Sequence, residues 1–425
     1  VSKIKDKLVE KLPQMRSEVQ QLLKEHGGDV VSEVTFQQMF GGMRGVKSLL
    51  CETSYVDPIK GLIIRGIPII EIADRLPEEI YWLLLIGELP TEEETKDFQA
   101  ELSAVDPVPE YVWKQMNSLP RDTHPMVLLS MGIMSLEKDS RFLQRYNEGM
   151  TKFDYWEPAL EDSIRLLARL PELAAGIYRF HAGKGDPIPP KKDLDWGGNY
   201  AYMLGIDDPN GEFADLIRLY LVLHSDHESG NVSAMTTHVV ASALSDAYYA
   251  VSAGLNGLAG PLHGLANQEC LKFVQEIENK YNGMPSDDEL RQFCWDTLNS
   301  GKVIPGYGHA VLRETDPRFT AFNQFGLKYC QDSVPFRIVD RMFAIVPDVL
   351  KEHGKAKNPY PNVDAGSGSL LYHYGVTEFD YYTVLFGVSR AMGMLSQMVY
   401  SRAVGVPIFR PKSVSMDHVR EIVGA

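Results

Sequence analysis

Three short segments of the chain set an imidazole or a carboxylate among glycines, a pairing suited to a polar group that faces a cleft. In the first, Asn256–Glu269, a Gly-Pro break precedes His263 just where a new helix should begin. In the second, Pro305-Gly306-Tyr307-Gly308-His309 runs on to Arg313 and then to Asp316-Pro317-Arg318. Two glycines ahead of an expected helix start leave backbone N–H groups free to point at an anion, and the helix dipole adds to the attraction. The segment has neither the Gly-Lys-Ser/Thr of a Walker loop nor a G-x-G-x-x-G fingerprint. The third, Asn362-Val363-Asp364-Ala365-Gly366-Ser367-Gly368, places a carboxylate on what reads as a flexible, glycine-flanked turn. Each has a plainer reading: a histidine beside glycine often packs or caps, and Asp364 could cap the next helix. Two loop histidines, a loop aspartate and several arginines in glycine-rich breaks are hard to explain as independent packing choices.

A fourth segment, His224-Ser225-Asp226-His227-Glu228, spaces its histidines three apart, with His238 further along. That spacing can share a helix face, so a metal site is one reading. The segment lacks the H-E-x-x-H order and has no nearby cysteine; contacts to a polar ligand or a buried hydrogen-bond network is the preferred reading, with no metal. Arginines define the substrate class. Arg313, Arg318, Arg390 and Arg410 lie in or beside segments with cleft character, and Arg390 sits inside the otherwise uncharged stretch Tyr381–Tyr400. A guanidinium buried there needs an anion, either an internal Asp or Glu or a ligand. Several guanidinium forks aimed at one cleft suit a substrate with two or more carboxylates.

The elements that must position these groups read as mainly helical. Ile4, Leu8, Leu12, Met15, Val19 and Leu22 mark one amphipathic face, and Phe213–Leu223 is apolar on most sides. Tyr381–Tyr400 carries small residues at Gly387, Ser389, Ala391 and Gly393, which allow close helix–helix approach and predict a central helix or a subunit contact. Strand signals are confined to Val30–Phe36 and Leu62–Ile70, predicting a small N-terminal hairpin. Turns are expected at Asn282-Gly283, Pro187–Pro190 and Pro359–Pro361. Glycine-rich breaks at Asn256–Gly264 and Asp364–Gly368 flank about a hundred residues that could form a separate lobe.

The 425 residues are enough for two domains, and a composition 44% hydrophobic and 23% charged is that of an ordinary globular protein. No apolar run approaches the ~18–20 residues a membrane helix needs. A formal charge of −15 argues against nucleic acid or an anionic membrane as partner. The same charge requires any anion site to concentrate its arginines locally. Cys51, Cys270, Cys294 and Cys330 show no C-x-x-C spacing and read as thiols in a reducing compartment.

Leu223–Glu228, Asn256–Glu269, Val303–Arg318, Asn362–Asp364 and Arg410-Pro411-Lys412-Ser413 resemble the eukaryotic, mitochondrial-type citrate synthases, in the family's order and at its spacing. The likeness extends through Gly41–Gly45, His124-Pro125-Met126 and Leu385–Arg390, and so over nearly the whole chain. It implies an almost entirely α-helical, two-domain homodimer, with residues 1–264 plus 374–425 as the large domain and 265–373 as the small one. It also implies that His263 hydrogen-bonds the thioester oxygen of acetyl-coenzyme A, that Asp364 takes the methyl proton, and that His309 protonates the oxaloacetate carbonyl. His227, Arg318, Arg390 and, across the subunit contact, Arg410 would hold oxaloacetate carboxylates. Val303, Ile304, Gly306, Gly308, Arg313, Lys357 and Asn362 fall where the family binds coenzyme A. No cofactor is implied, acetyl-coenzyme A being a co-substrate, and the expected compartment is the mitochondrial matrix.

The chemistry suits that division of labour. A thioester α-proton is about fifteen pKa units less acidic than a carboxylic acid, or roughly 20 kcal/mol. A carboxylate therefore needs a donor at the oxygen where charge develops, which makes Asp364 and His263 a unit. The chain departs from the family at Gly366 and Met235, where histidine is usual, and in a shorter segment before Tyr81. Two other readings share the pattern: 2-methylcitrate synthase, which takes propionyl-coenzyme A, and a non-catalytic scaffold of the same fold.

Overall fold

The computed structural model describes residues 2–425, as nineteen α-helices and one small sheet. The helix Tyr382–Val404 is its axis, buried along nearly its whole length. Helices Pro77–Ile86, Trp156–His181, Val232–Ser242 and Ala247–Leu258 pack around it. Its small residues allow this: a Cβ on Gly387 would lie 2.9 Å from Leu255 Cδ2, and one on Gly393 would lie 2.2 Å from Asp226 Oδ1. The helix stops at Gly405, in the left-handed conformation with φ +79° that L side chains rarely adopt.

The axial helix also holds the segment that follows Glu212–Leu223. Ser389 Oγ donates to the Leu221 carbonyl at 2.6 Å, the Gly393 N–H to Ser225 O at 3.0 Å, and Gln397 Nε2 to Asp226 Oδ1 at 2.8 Å. The expected long helices are present as Lys3–His26, Glu212–Leu223 and Tyr382–Val404. On the first of these Ile4, Leu8 and Leu12 are buried, whereas Leu22 is exposed. Most buried apolar residues form one large cluster; a second, made only of residues between 273 and 365, joins Phe273, Ile277, Phe293, Ile304, Phe319 and Val346.

Strands depart most from expectation. Val30–Phe36 is exposed and non-strand, and a short helix, Phe36–Phe40, begins at its end. The antiparallel sheet is β1 (Ser54–Asp57), β2 (Gly61–Ile64) and β3 (Ile67–Pro68), with Ser54 opposite Ile64 and Ile64 opposite Ile67. Leu62–Ile70 thus supplies two strands, and β1 had no clear alternation to announce it. The sheet's value lies in its anchoring: Ser54 Oγ donates to Asp226 Oδ2 at 2.8 Å, and Val56 N–H donates to Glu228 Oε1 at 2.8 Å. Helices also claim more of the glycine-rich breaks than their composition suggested. Asn256–Leu258 completes the helix Ala247–Leu258, and Asp364–Gly368 opens the helix Asp364–His373.

Replacing Gly393 by Ala drives a methyl group into the buried Asp226 carboxylate, which Thr53, Ser54 and Gln397 hold in place. Gly393→Ala is expected to cost roughly 1–3 kcal/mol, read as a lower urea midpoint at unchanged m-value.

Candidate active site

Arg390, on the axial helix, is only 3% exposed and has no carboxylate within ion-pair distance among the described residues. Its Nε donates to the His224 carbonyl at 3.2 Å, and its guanidinium lies over the Phe386 ring, 4.8 Å from the centroid. Burial pulls its pKa down to about 10, with Asp226 the main opposing charge. Asp226 itself is spoken for, accepting from Thr53, Ser54 and Gln397. Arg318 resolves the other way. It is the second residue of the helix Pro317–Tyr329, whose N-cap Asp316 accepts from the Arg318 N–H at 3.0 Å. Asp316 also takes the side chain, Nε to Oδ1 at 3.0 Å and Nη2 to Oδ2 at 2.7 Å, in a buried pair. Arg318 spends Nε and Nη2 on an internal partner and has no protein acceptor at Nη1 among the described residues, whereas Arg390 has no carboxylate partner at all.

His263 sits in the turn between Ala247–Leu258 and Ala266–Tyr281. The Ser233 N–H points at its Nε2 from 3.2 Å, and the Ser233 hydroxyl lies 2.9 Å from the same nitrogen. A backbone donor aimed at Nε2 demands a lone pair there, so the neutral ring carries its proton on Nδ1. Burial, then Arg390, push its pKa down to about 4, so the ring is neutral at physiological pH. His309 is the mirror case: the Val311 and Leu312 N–H groups donate to its Nδ1 at 3.0 and 3.1 Å, leaving the proton on Nε2. Burial first and Arg318 second hold its pKa below the ordinary histidine value. His227 lies with its ring 6.0 Å from that of His309, and burial, Arg318, Arg390 and His309 hold it neutral. Its loop is strapped by Glu228, whose φ of +57° is tolerated because the Ser54 hydroxyl accepts its N–H at 2.8 Å.

Asp364 is the first residue of the helix Asp364–His373, and its side chain caps nothing; the N-cap is Val363. Its carboxylate accepts no protein hydrogen bond among the described residues, although a helix N-terminus favours an anion. Burial dominates, raising the pKa to about 6 against the opposing charges of Arg318 and Arg390. Asn362 joins this residue to the histidine loop. Its Oδ1 accepts from the Asp364 N–H at 3.0 Å, and its Nδ2 donates to the Gly308 carbonyl at 3.0 Å. Backbone bonds from Asn362 N to Gly306 O (2.8 Å) and from Gly308 N to Tyr360 O (3.0 Å) complete the clasp.

These bonds revise the expected anion loop. No helix follows Gly308 directly, since the next begins at Pro317, and the Gly308 N–H is spent on Tyr360. Gly306, with φ +79°, allows the closest approach, because a Cβ there would lie 2.8 Å from Ala365 Cα. Ile304 is buried in the second cluster, so only its backbone is available to a ligand. Val303, Arg313 and Lys357 are exposed, and Arg313 Nη1 turns back onto the carbonyls of Val311 and Leu312. Arg410 is exposed on the segment that follows the axial helix. The segment His224–Glu228 is held by packing and hydrogen bonds: His224 stacks on Tyr220 at 4.2 Å, and Asp226 faces β1. No group of three His, Cys, Asp or Glu placed to hold a metal occurs among the described residues.

His263, His309, His227 and Asp364 all respond to Arg318, Arg390 or both, so one pair of guanidinium groups is the electrostatic centre of the cluster. Sequence reasoning missed Ser233, Phe386 and the bracing role of Asn362. Ser233 carries no signal, lying 30 positions from its histidine. Asp316 could have been found, because an aspartate before Pro and two residues before Arg318 is an N-cap within reach of that side chain. The arrangement offers two neutral N–H donors, an unbonded carboxylate of raised pKa and a cationic floor, which suits proton abstraction next to an anionic acceptor.

Comparison with known proteins gives these groups a context. Residues 42–412 match the family described as citrate synthase, C-terminal domain. The mitochondrial citrate synthase of Saccharomyces cerevisiae is 48% identical over 99% of this chain and 89% of its own length. The crystal structure of citrate synthase from Pyrobaculum aerophilum superposes with a TM-score of 0.76 at 27% identity, covering 91% of this chain and 95% of that one. A ternary complex of the Thermoplasma acidophilum citrate synthase with carboxymethyl coenzyme A and oxaloacetate shares the fold, with a TM-score of 0.73 at 22% identity over 91% of this chain and 97% of that one.

Because the folded-state pKa of Asp364 is raised, its ionisation opposes folding: the native state loses stability as pH rises from about 4 through about 6. A shift of about two pKa units at roughly 1.4 kcal/mol each bounds the loss near 3 kcal/mol. Asp364→Asn should therefore melt above the wild type at pH 8, and the gap should close below pH ~4; calorimetry across that range checks it.

Proposed function

The chain belongs to the citrate synthase family and condenses acetyl-coenzyme A with oxaloacetate to give citrate and coenzyme A, and we propose that Asp364, His263 and His309 carry that reaction. Asp364 removes a methyl proton of the acetyl group while His263 Nδ1–H donates to the thioester oxygen, so that negative charge leaves the carbon as it forms. The enol carbon then bonds to the keto carbon of oxaloacetate, and His309 Nε2–H supplies a proton to the former keto oxygen. Water finally cleaves the citryl thioester, releasing coenzyme A. His227, Arg318 and Arg390 hold the oxaloacetate carboxylates, with Arg410 of the partner subunit in a homodimer. One observation carries this reading. Each imidazole has one nitrogen filled by backbone N–H donors, which fixes the opposite nitrogen as a donor, and Asp364 is left without a hydrogen bond to its oxygens.

The three groups lie on two parts of the chain. His227, His263 and Arg390 belong to the proposed large domain, 1–264 plus 374–425; His309, Arg318 and Asp364 belong to the proposed small domain, 265–373. Closure of one against the other would assemble the site and exclude water until condensation is complete. Val303, Ile304, Gly306, Gly308, Arg313 and Lys357 are the proposed coenzyme A contacts, both cations being exposed, although Arg313 would have to release the Val311 and Leu312 carbonyls to reach a phosphate. Proton transfer between these groups requires no metal or prosthetic group. The yeast relative is mitochondrial, and the mitochondrion is the compartment of this protein. No helix is long and apolar enough to cross a membrane among the described residues.

Free-thiol release with oxaloacetate present should fall by a factor on the order of 10²–10⁴ in Asp364→Ala; turnover near the wild-type rate would remove Asp364 as the base and leave a scaffold reading open. Acetyl-coenzyme A should exceed propionyl-coenzyme A in kcat/KM, the methylene being worth about 1–3 kcal/mol; the reverse order would make the enzyme a 2-methylcitrate synthase. Asn362→Ala separates two roles for that side chain. As the clasp between the His309 loop and Asp364 it should lower kcat by roughly tenfold or more with KM little changed, whereas a coenzyme A contact would raise the KM for acetyl-coenzyme A alone.

A further inference from the structure

A cavity of about 350 Å³ lies beneath the segment that leaves the axial helix, walled by Tyr155, Leu244, Val406 and Ile408 and carrying Arg402 and Lys152. Arg402 is 6% exposed, and its Nε and Nη1 are buried with no hydrogen-bond partner. Its remaining nitrogen, Nη2, donates to the Ser245 carbonyl, and its guanidinium face lies over Phe142 at 3.8 Å. Stacking satisfies the face of the group and leaves its edge donors unmet. No carboxylate lies within ion-pair distance of it among the described residues. Asp162 and Asp246 are its nearest compensating charges, but both spend their oxygens elsewhere. Asp162 accepts from the N–H groups of Arg141 and Phe142, and Asp246 caps the helix Ala247–Leu258.

Among the described residues Lys152 has no ion pair either, and no Asp or Glu lines the cavity. In a chain of formal charge −15, a space with two unpaired cations and no acid is a local reversal of the protein's field. Leaving two guanidinium donors dry costs free energy that an anion in the cavity would return. The walls are otherwise apolar, and the volume is in the range of small-molecule sites.

We propose that this cavity is a binding site for a small organic anion, a carboxylate or phosphate head on a compact apolar body, separate from the condensation site. The head meets Arg402 at the floor and Lys152 at the mouth, and the body lies against Leu244, Val406 and Ile408. Val406 and Ile408 form the wall, and Arg410 follows two residues later.

Isothermal titration of the full-length protein with phenyl phosphate and with benzoate tests the site, the two probes sharing a body and differing in the head. The expected result is one site per chain for at least one probe, unchanged by saturating oxaloacetate. Lys152→Glu should weaken that binding by about tenfold or more with turnover unchanged, and Ile408→Trp, which fills the cavity, should abolish it. The proposal fails if neither probe binds, if oxaloacetate displaces the bound probe, or if both variants bind as the wild type does. Because Lys152 is exposed, its substitution leaves folding intact even where Arg402→Gln does not.

Discussion

A single buried positive charge organises this molecule. Arg390 sits in the middle of an uncharged helix, almost wholly removed from water, and the protein gives it a carbonyl and an aromatic face but no carboxylate in contact. A guanidinium so placed is tolerable only because Asp226 lies near enough to compensate in part, and Asp226 is fixed by β1 and Gln397. The glycine at 393 exists to admit that carboxylate. The small sheet, the axial helix and the strained Glu228 loop are thus parts of one device that holds an unsatisfied cation in place. An anionic substrate supplies what the fold withholds.

The same charge sets the protonation of its surroundings. Arg390 and Arg318 add to burial in keeping His227, His263 and His309 neutral, and neutral imidazoles donate one proton from a defined nitrogen. For His263 and His309, backbone N–H groups choose which nitrogen. For Asp364 the arginines work against burial, and burial wins, leaving a carboxylate basic enough to take a proton. Had Asp364 been paired directly with either arginine, as Asp316 is with Arg318, its affinity for a proton would have dropped with it.

Much of this was legible in the chain. Period-3.6 patterning announced the long helices, and the lone arginine in Tyr381–Tyr400 announced the buried charge, because an uncharged amphipath has no other use for it. The catalytic candidates were visible as polar residues beside glycines, and their family resemblance gave them roles. What stayed hidden was whatever depends on two distant segments meeting. The Ser233–His263 bond spans 30 positions and the Asn362–Gly308 bond 54, and neither partner has a local pattern that requires the other. β1 went unseen for the same reason, since a four-residue strand buried on one side is defined by its neighbour. Val30–Phe36 shows the converse error: a weakly alternating stretch with nothing to pair with stays out of a sheet.

The clasp at Asn362 keeps the proposed base and the proposed acid in register, both lying in the proposed small domain. His309 and Asp364 lie 55 positions apart, yet two backbone hydrogen bonds and one amide side chain tie their loops together. Gly306 makes the tie possible, because any side chain there would strike Ala365 or Cys270. His263 and Arg390 are fixed just as firmly to the other part, through Ser233 and His224. Each half of the proposed site is therefore braced within itself, and the proposed closure would change only the relation between the halves. Approach of the proposed acid–base pair to the proposed donor and cation would exclude water, and an anion bound at Arg390 would favour that closed arrangement.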